Sequence, residues 1–114
     1  MNDEHATSVE RFATVVQAFR GDPDVTLPSG KGFGSAGLRI GGKIFAMLSS
    51  RGEFVVKLSR HRVDALIASG EGMDFRAGQG RRMREWVCIV ASTDERWLSL
   101  AREAKEFVRL QSQQ

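Results

Sequence analysis

Residues 38–58, LRIGGKIFAMLSSRGEFVVKL, decide the fold class of this 114-residue chain. Gly41-Gly42 separates two β-favouring runs and suits the positive φ angles of a type I′ hairpin turn. Ser50-Arg51-Gly52 forms a second tight connection, and apolar and polar side chains alternate after it, which is typical of a strand. The stretch therefore predicts three consecutive antiparallel strands, at about 33–40, 43–49 and 53–58.

A helix is predicted before these strands. Thr7 and Glu10 have the spacing of a capping box, in which each side chain accepts a hydrogen bond from the other residue's backbone amide. Apolar residues follow at helical spacing, so we expect a first helix over about 8–20, with Gly21 in the left-handed conformation at its end. The prolines in residues 21–31 predict a connecting loop with a short extended piece.

Beyond the strands, Ser59 and Gly70 have the positions of an N-cap and a C-terminal glycine, which predicts a second helix between them. Residues 71–75 are predicted to form a short strand, and residues 76–82 a polar, glycine-bearing loop. The apolar and β-favouring run at 86–90 predicts a strand in the middle of the sheet.

A long last helix is predicted to follow Ser92-Thr93-Asp94-Glu95, which repeats the capping box. The element order is then α-β-β-β-α-β-β-α. Because the strands run consecutively between isolated helices, we expect a two-layer α+β fold, with an antiparallel sheet and helices packed on one side. Ten residues are expected to share one core: Phe12, Val16, Phe19, Phe54, Val56, Trp86, Cys88, Trp97, Leu100 and Phe107.

The predicted organisation is a flexible tail over residues 1–7 and a single domain over residues 8–112. The chain has no run of about 18 apolar residues, so neither a membrane span nor a membrane partner is expected. Its acidic start is unlike a signal peptide, and its single cysteine, Cys88, fits a reducing compartment. We therefore expect a cytoplasmic protein.

Positive charge is concentrated in residues 31–84, which hold eleven Lys or Arg against four acidic residues. This surplus can attract nucleic acid through phosphate contacts, and the alternative is that the cations only solvate the outer side of the sheet. The candidate nucleic-acid-binding residues are Arg76, Arg81, Arg82, Arg84, Arg39 and Lys43. Trp86 lies beside them and can stack on a base, although its apolar strand favours a position in the core.

The remaining motifs carry no recognisable chemistry. Gly32-Phe33-Gly34-Ser35-Ala36-Gly37 matches G-x-G-x-x-G, but a strand and a hairpin follow it where a dinucleotide site needs a helix N-terminus. Close backbone packing or a bulged strand entry explains these glycines better. His5 and His61 have no partner at metal-ligand spacing, and Cys88 has no neighbour that would activate it. We therefore expect no catalytic residue, no metal and no cofactor.

Four short motifs follow one another along the chain: Gly32-Phe33-Gly34 with Gly37-Leu38, Gly42-Lys43 with Phe45-Ala46, Val56-Lys57-Leu58, and Gly80-Arg81 with Met83-Arg84-Glu85-Trp86-Val87. In this order they resemble the N-terminal domain of TfoX/Sxy-type proteins, which are related to YjbR-like proteins. The resemblance covers about residues 8–110. Gly32 stands where the family has Met, and Arg84 where it has Lys.

The resemblance implies a two-layer α-β(3)-α-β(2)-α fold and a link to the regulation of natural competence, and it supplies no catalytic residue. YjbR-like relatives are often labelled DNA-binding. Competence regulators usually carry a second, C-terminal domain, for which this sequence has no room. We therefore expect a non-enzymatic regulatory binding module that is associated with nucleic acid. The alternative is a protein–protein adaptor or chaperone-like dimeric module, since similar folds occur in dimeric secretion chaperones. The sequence is compatible with either a monomer or a homodimer.

The glycine motif generates a first testable prediction: Gly32, Gly34 and Gly37 bind no nucleotide, because no helix dipole faces a phosphate there. We expect ATP and NAD to leave the melting temperature unchanged. A thermal shift with either nucleotide that disappears on the change Gly34→Ala would contradict this prediction.

Overall fold

The computed structural model describes residues 7–28, 37–77 and 81–111. Within them it contains three helices and one six-stranded sheet, so the predicted α+β class is confirmed. The elements in chain order are α1 (Ser8–Ala18), β1 (Val25–Thr26), β2 (Gly37–Ile40), β3 (Lys43–Leu48), β4 (Phe54–Lys57), α2 (Arg60–Ser69), β5 (Gly72–Ala77), β6 (Arg81–Ile89) and α3 (Asp94–Gln111). The predicted tail lies outside the described residues except for Thr7, which caps α1.

The sheet has the strand order β1-β2-β3-β4-β6-β5, and every neighbouring pair is antiparallel. The predicted three-stranded meander corresponds to β2, β3 and β4, and the predicted short extended piece before it is β1. Gly41 and Gly42 form the β2–β3 turn with φ of +60° and +80°, as the type I′ prediction requires. After α2, the chain adds β5 at the edge and returns as β6 between β5 and β4.

One face of this sheet forms the core with all three helices. Val56 of β4 lies opposite Ala46 of β3 and Val87 of β6, and directly opposed residues share a face in antiparallel pairs. These three side chains are completely buried in the same cluster as helix residues, which include Val15, Val63, Leu100, Ala104 and Val108. The helices therefore pack on one side of the sheet, as the sequence predicts.

The ends of α1 and α2 test the predicted caps. Both bonds of the capping box are present, from the Thr7 amide to Glu10 Oε1 at 2.9 Å and from the Glu10 amide to Thr7 Oγ1 at 3.0 Å. Ser59 Oγ accepts from the amide of the third residue beyond it, and Gly70 ends α2 with a φ of +87°. The prediction for Gly21 is wrong: α1 ends earlier, and Gly21 does not have a positive φ.

The start of α3 corrects the second predicted capping box. Thr93, and not Ser92, has the N-cap role: Thr93 Oγ1 accepts from the amide of Arg96 at 3.2 Å, and the Trp97 amide donates to the Thr93 carbonyl. The residue three positions beyond Thr93 is an arginine, which cannot complete a capping box. Asp94 and Glu95 instead lie in the first turn, where negative charge favours the helix dipole.

The predicted loop at 76–82 is largely a β-hairpin. Arg76 lies opposite Arg82, and Ala77 lies opposite Arg81, so only residues 78–80, which lie outside the described part, remain to connect the strands. The prediction was wrong because polar, glycine-bearing composition resembles a loop, whereas edge strands also accept charged side chains. β6 consequently begins at Arg81 rather than at residue 86.

The predicted core is correct for six residues, Phe12, Phe19, Phe54, Val56, Trp97 and Leu100, which are buried in one cluster. Val16 and Phe107 are partly buried against it. Trp86 and Cys88 are corrections: since Val87 and Ile89 point into the core, the alternating neighbours face the other side of the sheet. Cys88 is buried there, whereas Trp86 is only partly buried.

Trp97 is held from several directions at the base of α3. Its ring stacks on Phe54 with centroids 4.3 Å apart and an interplanar angle of 10°, and its Nε1 donates to the Ala91 carbonyl at 2.6 Å. The guanidinium of Arg11 lies 5.7 Å from the Trp97 ring centroid and donates to Asp94 Oδ1 at 2.9 Å. Arg11 is buried in α1, although a charged side chain is normally expected at the surface.

Gly72 generates a prediction about stability, because it lies where β5 meets α2. A Cβ added to Gly72 would lie 2.6 Å from Val87 Cγ2 and 3.2 Å from Leu66 Cβ, and both neighbours are buried. We expect Gly72→Ala to lower the free energy of unfolding by about 1–3 kcal/mol, as overpacked core positions do. Urea denaturation of both proteins measures the difference.

Gly21→Ala is the matched control, since no atom lies within 4 Å of an added Cβ and the φ is not positive. This change should leave stability unaltered or raise it by up to about 1 kcal/mol. Equal midpoints for the two variants would show that Val87 and Leu66 can move apart without cost.

Candidate nucleic-acid interface

The strand order brings the predicted cations to the same end of the sheet. β2 ends and β3 begins at the Gly41-Gly42 turn, and antiparallel pairing places the end of β4 and the start of β6 alongside. β5 ends there as well, since Ala77 lies opposite Arg81. We call this the basic end, and the residues that define it are Arg39, Lys43, Lys57, Arg76, Arg81, Arg82 and Arg84. It therefore gathers residues that are up to 45 positions apart in the sequence.

The face of the sheet opposite the core brings the Trp86 ring close to one of these cations. We call this the outer face; its residues include Arg39, Ile44, Met47, Val55, Lys57, Trp86 and Cys88, as strand register and alternation assign them. Lys57 lies directly opposite Trp86, and its Nζ is 5.8 Å from the centroid of the indole ring. A cation at this distance over a tryptophan face is attracted by the ring's negative charge density.

Lys57 also lies beside a carboxylate. Its Nζ is 4.0 Å from Glu85 Oε1, and both side chains are partly exposed, so the pair contributes little to stability. The ammonium group therefore has two weak partners, an indole and a carboxylate. A phosphate at the basic end can compete with both.

Several other cations of the basic end have no carboxylate partner among the residues that the structure describes. Within the described ranges, Arg39, Lys43 and Arg84 form no ion pair, and Arg84 and Lys43 are exposed. Arg39 Nη1 lies 3.5 Å from the Gly42 carbonyl, at the limit of a hydrogen bond. Arg76 differs, since it lies 3.5 Å from Asp74 Oδ2. For Arg81 and Arg82, the structure describes the backbone and not the side chains.

Three acidic residues elsewhere are paired with other cations. Glu103 accepts from Arg62 at 2.7 Å, Glu71 from Arg96 at 2.8 Å, and Asp22 pairs with Lys105. The hydrogen bond from Arg96 lowers the pKa of Glu71, and the one from Lys105 lowers the pKa of Asp22. All three pairs join a helix to a neighbouring element, so their carboxylates do not reduce the charge of the basic end.

Two cations at or beside this end, Lys57 and Arg60, were missed as site candidates. Lys57 was recognised only as part of a motif, and its position over Trp86 depends on a register between strands that are 29 residues apart, which no local pattern reveals. Arg60 begins α2 immediately after β4; it is exposed and forms no ion pair among the described residues. The feature of the sequence that could have pointed to Arg60 as a candidate was its position within the positively charged segment 31–84.

A cavity of about 500 Å³ lies along the edge strand β5. Its apolar lining includes Ile67, Met73, Phe75 and Cys88, and its charged lining consists of Arg51, Glu53, Asp74 and Arg76. Two of these charged groups, Asp74 and Arg76, pair with each other, and Glu53 Oε1 accepts from Ser49 Oγ at 3.1 Å. The cavity thus mixes both signs of charge.

Cys88 supplies a thiol to the lining of this cavity, but its surroundings make that thiol unreactive. Burial of the thiol, reinforced by the charge of Glu53, raises the pKa of Cys88 to about 11. A thiol with such a pKa stays protonated at neutral pH and is a poor nucleophile. Among the residues that the structure describes, no group of three His, Cys, Asp or Glu side chains is placed to hold a metal ion.

The glycine motif lies mostly outside the described residues, including Gly32 and Gly34. Gly37 is the exception, and a Cβ added to it would lie 3.1 Å from Ile44 Cγ2. The β2–β3 register also shifts just beyond it, between Leu38 and Arg39. Close packing beside a bulge therefore explains Gly37, as expected.

Comparison of the chain with protein-family models, curated proteins and solved structures found no match. None of the described helices is both long enough and apolar enough to cross a lipid bilayer.

The environment of Cys88 generates a prediction about its reactivity. With a pKa of about 11, roughly 0.1% of the folded protein carries a thiolate at pH 8, against about a tenth or more of an unfolded chain. We expect iodoacetamide to alkylate the folded protein at least about 100-fold more slowly than the urea-unfolded protein, with a rate that rises toward pH 11. A rate that reaches its plateau below pH 9 would contradict this expectation.

Proposed function

We propose that this chain is a non-enzymatic, cytoplasmic regulatory module that binds nucleic acid through its basic end and outer face. The observation that carries the proposal is the position of Lys57 over Trp86 on the side of the sheet opposite the helices, with Arg39 on the same face. The resemblance of the sequence to the TfoX N-terminal domain points to the same class of partner.

The physical basis is a combination of two interactions. Cations attract the phosphate backbone independently of sequence, and their contribution depends on salt because bound counterions are released. An aromatic ring on a sheet surface can stack on an unpaired base, as in sheet-based modules that bind RNA. Because a base must leave its duplex to reach Trp86, we expect single strands to bind more tightly than duplexes.

A protein–protein adaptor is the second candidate function. It is favoured by the mixed-charge cavity beside β5 and by Met73, a residue that is 61% exposed and lines that cavity. Exposed methionine suits adaptable contacts with a peptide segment. Such a partner would contact Met73 and the cavity, whereas nucleic acid would contact cations such as Arg39, Lys43 and Arg84.

The test is a titration of labelled single-stranded and duplex oligonucleotides at several salt concentrations, read by fluorescence anisotropy. Arg84→Ala should weaken binding to every sequence and flatten the plot of log affinity against log salt by about 0.7 on single strands. Arg81→Ala combined with Arg82→Ala should flatten the slope on duplex DNA by about two units. Folding should survive Arg84→Ala, since an exposed arginine such as Arg84 contributes under about 1 kcal/mol.

Arg102→Ala is the matched control, because Arg102 is exposed on α3, away from the basic end, and should leave the slope unchanged. Trp86 provides a second measurement within this titration. Stacking should quench its fluorescence, and Trp86→Phe should abolish the quenching while the buried Trp97 continues to emit. Absence of salt-sensitive binding to DNA or RNA at low ionic strength would refute the proposal and leave the adaptor function.

A further inference from the structure

We propose that two copies of this chain associate by pairing their β5 strands antiparallel across a two-fold axis that passes through Phe75. This inference goes beyond the proposed function and does not depend on nucleic acid. It starts from the sheet order, in which β5 is one edge and β1 the other. β1 has two residues, whereas β5 has six and can offer a longer row of backbone groups to a partner.

The sequence of β5 is complementary to itself in the antiparallel direction. With Phe75 opposite its own copy, Asp74 of each strand lies opposite Arg76 of the other, and the two-fold axis repeats this ion pair. Opposite charges and aromatic pairs are both favourable when they are directly across from one another in a sheet. Three consecutive residues therefore all find a favourable partner in one register.

Neighbouring registers lose this complementarity. An axis through Asp74 would place two carboxylates opposite each other, and an axis through Arg76 would place two guanidinium groups opposite each other. Like charges directly across are destabilising. Shifting the strands by one residue instead places Asp74 opposite Phe75. The charge pattern thus selects the register centred on Phe75.

The groups that would form these pairs are accessible. The side chains of Asp74 and Arg76 are 33% and 54% exposed, and Met73 beside them is 61% exposed. The contact between Asp74 and Arg76 within one strand is 3.5 Å long and lies at the surface, where an ion pair is worth little.

This arrangement has a consequence for the whole molecule. A two-fold axis perpendicular to the sheet joins the two sheets into one of twelve strands, twice the six of each copy. Both helical layers then lie on one side, and both outer faces lie on the other. The two Trp86 rings would share a single surface of the dimer.

The experiment uses sedimentation velocity of the full chain over about 10 μM to 1 mM, a range suited to a short interface. The wild-type protein should show a concentration-dependent monomer–dimer equilibrium. Asp74→Arg places arginines opposite arginines, and Arg76→Asp places carboxylates opposite carboxylates. Each change should weaken self-association by roughly tenfold or more.

Mixing the two variants provides the decisive result. Asp74→Arg protein and Arg76→Asp protein carry complementary charges at both pairs, so an equimolar mixture should form a heterodimer although neither variant dimerises well alone. Arg102→Asp on α3 is the control and should leave the equilibrium unchanged. A monomeric wild type over the whole range, or variants that associate as the wild type does, would overturn the proposal.

A second measurement does not rely on charge reversal. Phe75→Cys places two thiols opposite each other at the axis, within the distance that a disulfide spans between paired strands. Mild oxidation should yield a covalent dimer much faster than for Leu110→Cys, a control position that is 49% exposed on α3. Equal rates of cross-linking for the two variants would also overturn the proposal.

Discussion

The stack of Trp97 on Phe54 connects the helical layer to the middle of the sheet. Phe54 begins β4 and also contacts Phe12 of α1, with ring centroids 6.0 Å apart, so the stack links three elements that are distant in sequence. The indole nitrogen is satisfied by the Ala91 carbonyl, which fixes the start of α3 against the end of β6. Arg11 closes the arrangement, because its guanidinium lies over the indole and pairs with Asp94 in the first turn of α3.

A core on one side of the sheet determines what the other side can present. Once Val56 and Val87 point toward the helices, the next residues, Lys57 and Trp86, must point away from them. The same alternation that builds the core thus places a cation and an indole together on the outer face. The placement of Lys57 and Trp86 in the candidate interface therefore follows from the packing of the core, and no additional helix or strand is required to position them.

Local signals in the sequence predict the elements that local interactions form. The capping box at Thr7, the Gly41-Gly42 turn and the end of α2 at Gly70 each depend on a few adjacent residues, and all three predictions are confirmed. The face that Trp86 occupies could not be predicted, because it depends on which residue of a distant strand lies opposite it. The β5–β6 hairpin was missed for a related reason: its register shifts between Asp74 and Arg76, and this irregularity leaves no simple alternation to recognise. Burial of Arg11 likewise requires partners in α3, more than 80 positions away.

The distribution of ion pairs explains how a chain with a formal charge of only +3 can present a strongly basic end. Carboxylates such as Glu103, Glu71 and Asp22 are used to join helices to their neighbours, where each is matched by a cation. Cations at the ends of β2 and β6, such as Arg39 and Arg84, have no such partner within the described part of the chain. Net charge therefore understates the local field, because opposite charges cancel in the helical layer while the positive ones accumulate at one end of the sheet. Since a phosphate responds to the local field within about a Debye length, roughly 8–10 Å at physiological salt, this end is where an anionic partner would be attracted.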